Sequence, residues 1–135
     1  MKKEQPRILV VDDEERFRNT MTKLLNARGF VTQAAANGEE TKAELLRNAY
    51  DVVLLDVKMP GISGIEVLKW MKQEGIAAEV IILSGHASVD TAMEIIDHGA
   101  YDYLLKPSDI EEIVLKISLA YERKLDKENV NPGRR

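Results

Sequence analysis

Short, unbroken apolar runs recur along this chain, and each is followed by a stretch in which apolar residues return every three or four positions. Ile8-Leu9-Val10-Val11, Val52-Val53-Leu54-Leu55 and Val80-Ile81-Ile82-Leu83 are continuous rather than alternating. A strand covered on only one face alternates apolar with polar residues, so continuous runs of this length call for strands covered on both faces. Phe30-Val31-Thr32-Gln33-Ala34 reads as a weaker second strand, and Tyr101 to Leu105 as a short fifth. Between the runs, Phe17, Met21, Leu24 and Leu25 fall at helical spacing, and Gly29 supplies a stop. Asn37 to Glu40 and Ser63 to Glu66 each have the form of a capping box. They open helices that end near Asn48 and Gly75. A fourth helix carries Val89, Ala92, Met93 and Ile96 and closes at Gly99. The last begins near Ser108 or Asp109 and turns Ile110, Ile113, Val114 and Ile117 inward, with Ser108 capping toward Glu111. Five strands alternating with five helices over short connections predict an α/β fold, a doubly wound five-stranded parallel sheet.

A chain of 135 residues suits one such domain. Residues 1–5 read as an N-terminal tail and 6–122 as the domain. From 123 to 135 the chain turns polar and reads as a helix fraying into a tail or linker. No apolar run approaches the roughly 20 residues that span a bilayer, and the charged N-terminus has no apolar segment behind it. There is no cysteine, which removes disulfides and thiolate metal sites and fits a reducing, cytoplasmic setting. Net charge is −4 with no basic block in the body of the chain, so direct nucleic-acid binding has no electrostatic footprint.

In a parallel α/β sheet ligands bind at the carboxyl ends of the strands. The residues just beyond the apolar runs are Asp12 and Asp13, Asp56, Ser84, then Lys106 and Pro107. Taken singly, each has a structural reading. The acidic pair suits a helix N-terminus, Asp56 and Ser84 suit turns, and Lys106 suits solvent. Together they are harder to explain without a ligand. Three converging carboxylates repel unless a cation or protons intervene, and hard oxygen donors suit Mg²⁺. One carboxylate is then free to attack phosphorus, while a lysine and a hydroxyl offset the charge of the phosphoryl oxygens. That constellation is a phosphoryl-transfer site that works by positioning and electrostatics.

These residues resemble the receiver domain of bacterial two-component response regulators. The matching segments are Asp12-Asp13 after Ile-Leu-Val-Val, Asp56 in Leu-Leu-Asp-Val-Lys-Met-Pro-Gly, Ser84 in Leu-Ser-Gly-His-Ala, and Lys106-Pro107 in Tyr-Asp-Tyr-Leu-Leu-Lys-Pro. The resemblance covers roughly residues 6 to 122 and is nearest to receivers of the nitrogen-regulator type. It implies a flavodoxin-like strand order 2-1-3-4-5 and a cis Lys106-Pro107 bond. It implies that Asp56 is the phosphoacceptor, with a sensor histidine kinase or phosphotransfer protein as donor and small acyl phosphates as substitutes. It further implies that Asp13, Asp56 and the Lys58 backbone carbonyl bind Mg²⁺ (or Mn²⁺), with Asp12 acting largely through metal-bound water. Lys106 and Ser84 would engage the phosphoryl group, and Tyr103 would swing inward as Ser84 moves. The output is then a phosphorylation-dependent switch of the face formed by the fourth helix, fifth strand and fifth helix, rather than turnover of an external substrate. That face would meet an output domain, a target protein or a second copy. Lys58 and His86 sit where they can tune the acyl-phosphate lifetime, while His98 reads as a helix C-terminal residue.

Other readings of the same fold meet obstacles. A flavodoxin cradles phosphate after its first strand, where this chain places Asp12-Asp13-Glu14-Glu15. An aspartyl-phosphate phosphatase of the haloacid-dehalogenase type wants a second acid two residues after the nucleophile, where this chain has Lys58. A pure interaction module needs none of these polar residues. Two contexts remain open: a receiver ahead of an output domain, or a stand-alone receiver.

Overall fold

The structure is a computed structural model and describes residues 5–59, 61–85 and 88–130. Five strands and five helices alternate: β1 (Arg7–Val11), α1 (Glu15–Ala27), β2 (Val31–Ala35), α2 (Gly38–Arg47), β3 (Val52–Leu55), α3 (Gly64–Gln73), β4 (Glu79–Ser84), α4 (Val89–Asp97), β5 (Asp102–Leu105) and α5 (Ile110–Val130). All strand pairings are parallel, in the order β2-β1-β3-β4-β5.

The continuous apolar runs divide between two cores by strand alternation. Leu9, Val11, Val53, Leu55, Val80 and Ile82 face α2, α3 and α4, where Leu45, Val67, Leu68, Met71 and Ile95 meet them. Ile8, Val10, Val52, Leu54, Ile81 and Leu83 face α1 and α5, where Met21, Leu25, Ile113, Ile117 and Ala120 meet them. Both faces of the central strands are therefore sealed. The solvent-accessible rim of the sheet lies at the strand ends and along the edge strands β2 and β5.

The helix boundaries follow local chemistry. Ser63 accepts from the Glu66 amide and Glu66 returns a bond to the Ser63 amide, a complete capping box. Asn37 accepts from the Glu40 amide at 2.8 Å, but Glu40 reaches one residue further back, to the Ala36 amide at 2.7 Å. The box expected at α2 is thus offset, with the same number of N-terminal donors satisfied. Gly99, at φ 102°, ends α4 after the helix C-cap His98, in the left-handed region that suits glycine.

Two expectations at α5 need correction. The Ser108 hydroxyl does not cap toward Glu111; it donates to the Leu105 carbonyl, and Glu111 pairs bidentately with Arg28 of the α1–β2 turn at 2.9 and 2.5 Å. Residues 123–130 of the polar stretch do not fray but extend α5 to Val130, and residues 131–135 lie outside the described residues. Cations in this extension have partners in the body of the domain. Arg123 and Lys127 reach Glu79 at 2.6 and 2.9 Å, and Lys124 reaches Asp51 at 3.1 Å. Glu79 opens β4 and is only 1% exposed. Burial alone would push its carboxyl up, but the bonds from Arg123 and Lys127 outweigh burial and hold it below the ordinary range. The helix persists because a buried carboxylate requires those donors.

Candidate functional site

Strand order places the site. β1 and β3 are neighbours, with Val11 opposite Leu55, so the residues that follow them, Asp12 and Asp56, emerge side by side. The chain crosses to opposite faces of the sheet on either side of this pair, which makes the crevice a topological switch point. Backbone bonds hold the exits in place: the Asp12 amide donates to the Ala35 carbonyl at 3.2 Å, and the Asp56 amide to the Val11 carbonyl at 3.0 Å. On the other side, the Lys106 amide donates to the Ser84 carbonyl at 2.8 Å. The Lys106-Pro107 bond is cis, as the resemblance implies.

Carboxylate oxygens of Asp12, Asp13 and Asp56 lie within 4.8 Å of one another. Asp12 and Asp56 are buried and Asp13 is exposed. Both oxygens of Asp12 are engaged. Oδ1 accepts the Glu14 amide at 2.9 Å, and Oδ2 accepts the Lys106 ammonium. Arg18 steadies the same turn by donating to the Asp12 carbonyl at 2.9 Å. Lys106 Nζ also lies 3.7 Å from Asp56 Oδ2. Asp56 Oδ1 accepts the Lys58 amide at 3.1 Å, and the buried Ser84 hydroxyl hydrogen-bonds the same carboxylate. Burial pushes the Asp56 carboxyl up, and the Asp12 charge adds to this. The Lys58 amide, Lys106 and Ser84 oppose it without cancelling it.

The backbone beyond Asp56 is held tightly by Gly64. A methyl group at Gly64 would lie 2.8 Å from Val57 Cα and closer still to the Asp56 carbonyl oxygen. The first turn of α3 can therefore press on the acidic loop only because this residue has no side chain. The Gly64 amide donates to the Val57 carbonyl at 3.0 Å across that contact.

The residues singled out in the sequence are thus largely brought together. Asp12, Asp13, Asp56, Ser84 and Lys106 share one end of the sheet, and the Lys58 backbone touches Asp56 while its side chain is exposed. Tyr103 lies on β5, two residues before Leu105, which pairs with Ser84. It is half-buried against the core beneath α2, α3 and α4, and burial and the Asp56 charge raise its hydroxyl pKa. His86 lies outside the described residues. His98 caps α4 with Nε2 4.0 Å from Glu94, away from the site. Phe17 packs against the core as its periodicity predicts, and its ring also sits 4.1 Å from Lys106 Nζ, which periodicity does not signal. Its position in the first turn of α1, four residues after Asp13, is the available signal.

The donor set fits a hard divalent cation. It offers only oxygen ligands, with one exposed carboxylate beside two buried ones and a single ammonium to balance three negative charges. Fold and site together define a class: a flavodoxin-like α/β protein with a cluster of carboxylates at the carboxyl ends of its strands. The family model for the response regulator receiver domain matches residues 8–118, and the chain belongs to that family, the receiver domains of two-component response regulators. It is similar to the regulatory protein AtoC of Escherichia coli, 38% identical over 86% of this chain and 25% of that protein. It is also similar to the DNA-binding transcriptional regulator NtrC of Salmonella typhimurium, 37% identical over 84% of this chain and 24% of that protein. The chain thus spans about a quarter of the length of these curated relatives. Among solved structures, the signal receiver domain of a LuxO-type repressor from Vibrio parahaemolyticus superposes with a TM-score of 0.89 at 28% identity, covering 94% of this chain and 98% of that one. NtrX from Brucella abortus superposes at 0.87 with 30% identity, covering 97% of this chain and 29% of that one. Among the described residues no helix is long and apolar enough to cross a membrane.

Proposed function

We propose that this receiver accepts a phosphoryl group on Asp56 and signals through its α4-β5-α5 face. The observation that carries this reading is the packing of three carboxylates within 4.8 Å, with an ammonium 3.7 Å from the middle strand's Asp56. An Asp56 oxygen attacks phosphorus. The new O–P bond forms as the P–N bond to the donor imidazole breaks, and the departing histidine keeps the electron pair and takes up a proton. Burial strips solvent from the attacking carboxylate. Lys106 and Ser84, already against Asp56, offset the negative charge of the transferring group.

Asp13, Asp56 and the Lys58 backbone carbonyl would hold Mg²⁺, or Mn²⁺ in its place. Both Asp12 oxygens already have protein donors, which favours contact through water. When bound, the cation supplies positive charge that balances the phosphoryl oxygens.

The phosphoryl group adds charge and acceptor oxygens beside Ser84. Ser84 then turns to it, and Tyr103 moves into the space released. The groove lined by Ser88, Ala92, Tyr103, Leu105, Pro107 and Glu112 is where that motion reaches the surface. The partners are a sensor histidine kinase or phosphotransfer protein as donor, and an output domain, target protein or second copy at the switched face. The domain itself contacts neither nucleic acid nor membrane and works in the cytoplasm as a switch rather than as a multiple-turnover enzyme. Similarity to AtoC and NtrC favours the context of a regulator with an output domain. We assign residues 123–135 to a polar C-terminal tail or linker, of which residues 123–130 continue α5.

Incubation with acetyl phosphate, read by intact mass, tests the reading. A gain of one phosphoryl group that requires Mg²⁺ and disappears in Asp56→Asn is expected. No gain, together with no beryllofluoride binding, would remove it. Lys58 and His86 set the lifetime of the acyl phosphate by screening it from water. Lys58→Ala and His86→Ala are expected to alter its decay rate, and unchanged lifetimes would exclude both from that role.

A further inference from the structure

Phe17 has no part in the chemistry described so far, yet it forms one wall of the Lys106 site. The Lys106 ammonium is enclosed on three sides: by the buried Asp12 carboxylate, by Asp56 at 3.7 Å, and by the Phe17 ring with its centroid at 4.1 Å. The lysine side chain is 22% exposed. A four-carbon stem ending in a strongly hydrated ammonium ordinarily samples many rotamers. Here the third side offers an aromatic face in place of water. The negative face of the ring replaces part of the lost hydration and limits where the ammonium can go. Phe17 is itself placed firmly, in the first turn of α1 and packed against the core shared by α1 and α5.

We infer that Phe17 is a positioning residue for Lys106, holding the ammonium beside Asp56 through the aromatic face. A leucine would fill much of the same space and keep the helix, but it has no such face. A tyrosine would keep both. The inference rests on the phosphoacceptor reading, so its test separates the two.

The maximal rate of labelling by acetyl phosphate is measured at saturating Mg²⁺ for wild type, Phe17→Leu, Phe17→Tyr, Lys106→Ala and the Phe17→Leu/Lys106→Ala double variant. Beryllofluoride affinity is measured on the same set, and unfolding free energy without metal provides a readout independent of activity. Phe17→Leu is expected to lose roughly three- to thirtyfold in rate and in beryllofluoride affinity, the range a cation–π contact spans from exposed to desolvated. Phe17→Tyr is expected to stay within about twofold of wild type. In the Lys106→Ala background, Phe17→Leu should add no further loss, and the stability cycle should show coupling between the two positions. Equal losses in both backgrounds, or a loss that Phe17→Tyr shares, would overturn the inference and leave Phe17 a packing residue. Absence of both labelling and beryllofluoride binding in the wild type would instead remove the phosphoacceptor reading, and the inference with it.

Discussion

Asp56 shows how far a single side chain can depart from what its own sequence context implies. It is one acid after an apolar run, unremarkable alone. In the fold it is 8% exposed, pressed against a second buried carboxylate, and its backbone is wedged by Gly64. Removing its charge should relieve repulsion within the cluster, so Asp56→Asn is expected to melt above wild type in the absence of divalent cations. Adding Mg²⁺ should then reverse the order of benefit. At about 100 times its dissociation constant a ligand stabilises the native state by about 2.7 kcal/mol, and wild type should gain far more of this than the variant. Thermal unfolding of both proteins with and without Mg²⁺ measures the difference, and an equal response would argue against a cation site at Asp56.

At the scale of elements, charged side chains decide where helices end. Glu44, near the end of α2, accepts from Tyr50 Oη and Arg47 at 2.7 Å each and from Asn48 at 2.8 Å. These bonds, led by that of Tyr50, bring its carboxyl from the ordinary 4.5 to about 2. A carboxyl with a lowered folded-state pKa contributes stability that is complete above the unfolded value and lost as pH falls through the folded value. The deficit of Glu44→Gln relative to wild type should therefore be full at neutral pH and shrink between 4.5 and 2. Denaturant titrations across that window would show it, and a constant deficit would mean that the bonds persist without the charge. At the same end of the sheet, where β4 begins, Arg123→Ala should cost about 1 to 2 kcal/mol in urea unfolding, because it removes a bidentate donor from buried Glu79. It should also loosen the last turns of α5, seen as faster amide exchange after residue 122. Nothing in the local sequence around Arg123 signals this, since its partner lies 44 residues away.

Across the whole molecule, the two cores clamp the sheet from both sides while the α4-β5-α5 face keeps Met93, Ile96, Leu105, Leu115 and Leu119 exposed. Of these, Leu105 lines the groove beside Tyr103, so a switch acting through Tyr103 has an apolar surface on which to act. Self-association in the presence of beryllofluoride is expected to rise and to be lost in Ile96→Arg and Leu115→Arg. Sedimentation would register the change, and unaltered association in both variants would move the interface elsewhere.

Much of this was determined by the sequence alone. Continuous apolar runs require strands covered on both faces, amphipathic intervals require helices to cover them, and parallel connection puts the residues after each run on one edge. The strand number, the helices and the convergence of Asp12, Asp13, Asp56, Ser84 and Lys106 follow from local pattern and covalent connectivity. The contacts between residues distant in the chain were decided only by the tertiary structure. Lys106 on Asp12 and Phe17, Arg123 on Glu79, Arg28 on Glu111 in place of a Ser108 cap, and Gly64 against Asp56 all depend on how packed elements meet. Periodicity reports which face of an element is buried, but not which polar group arrives there from another part of the chain. That is settled when the core closes and each buried charge must find its partner.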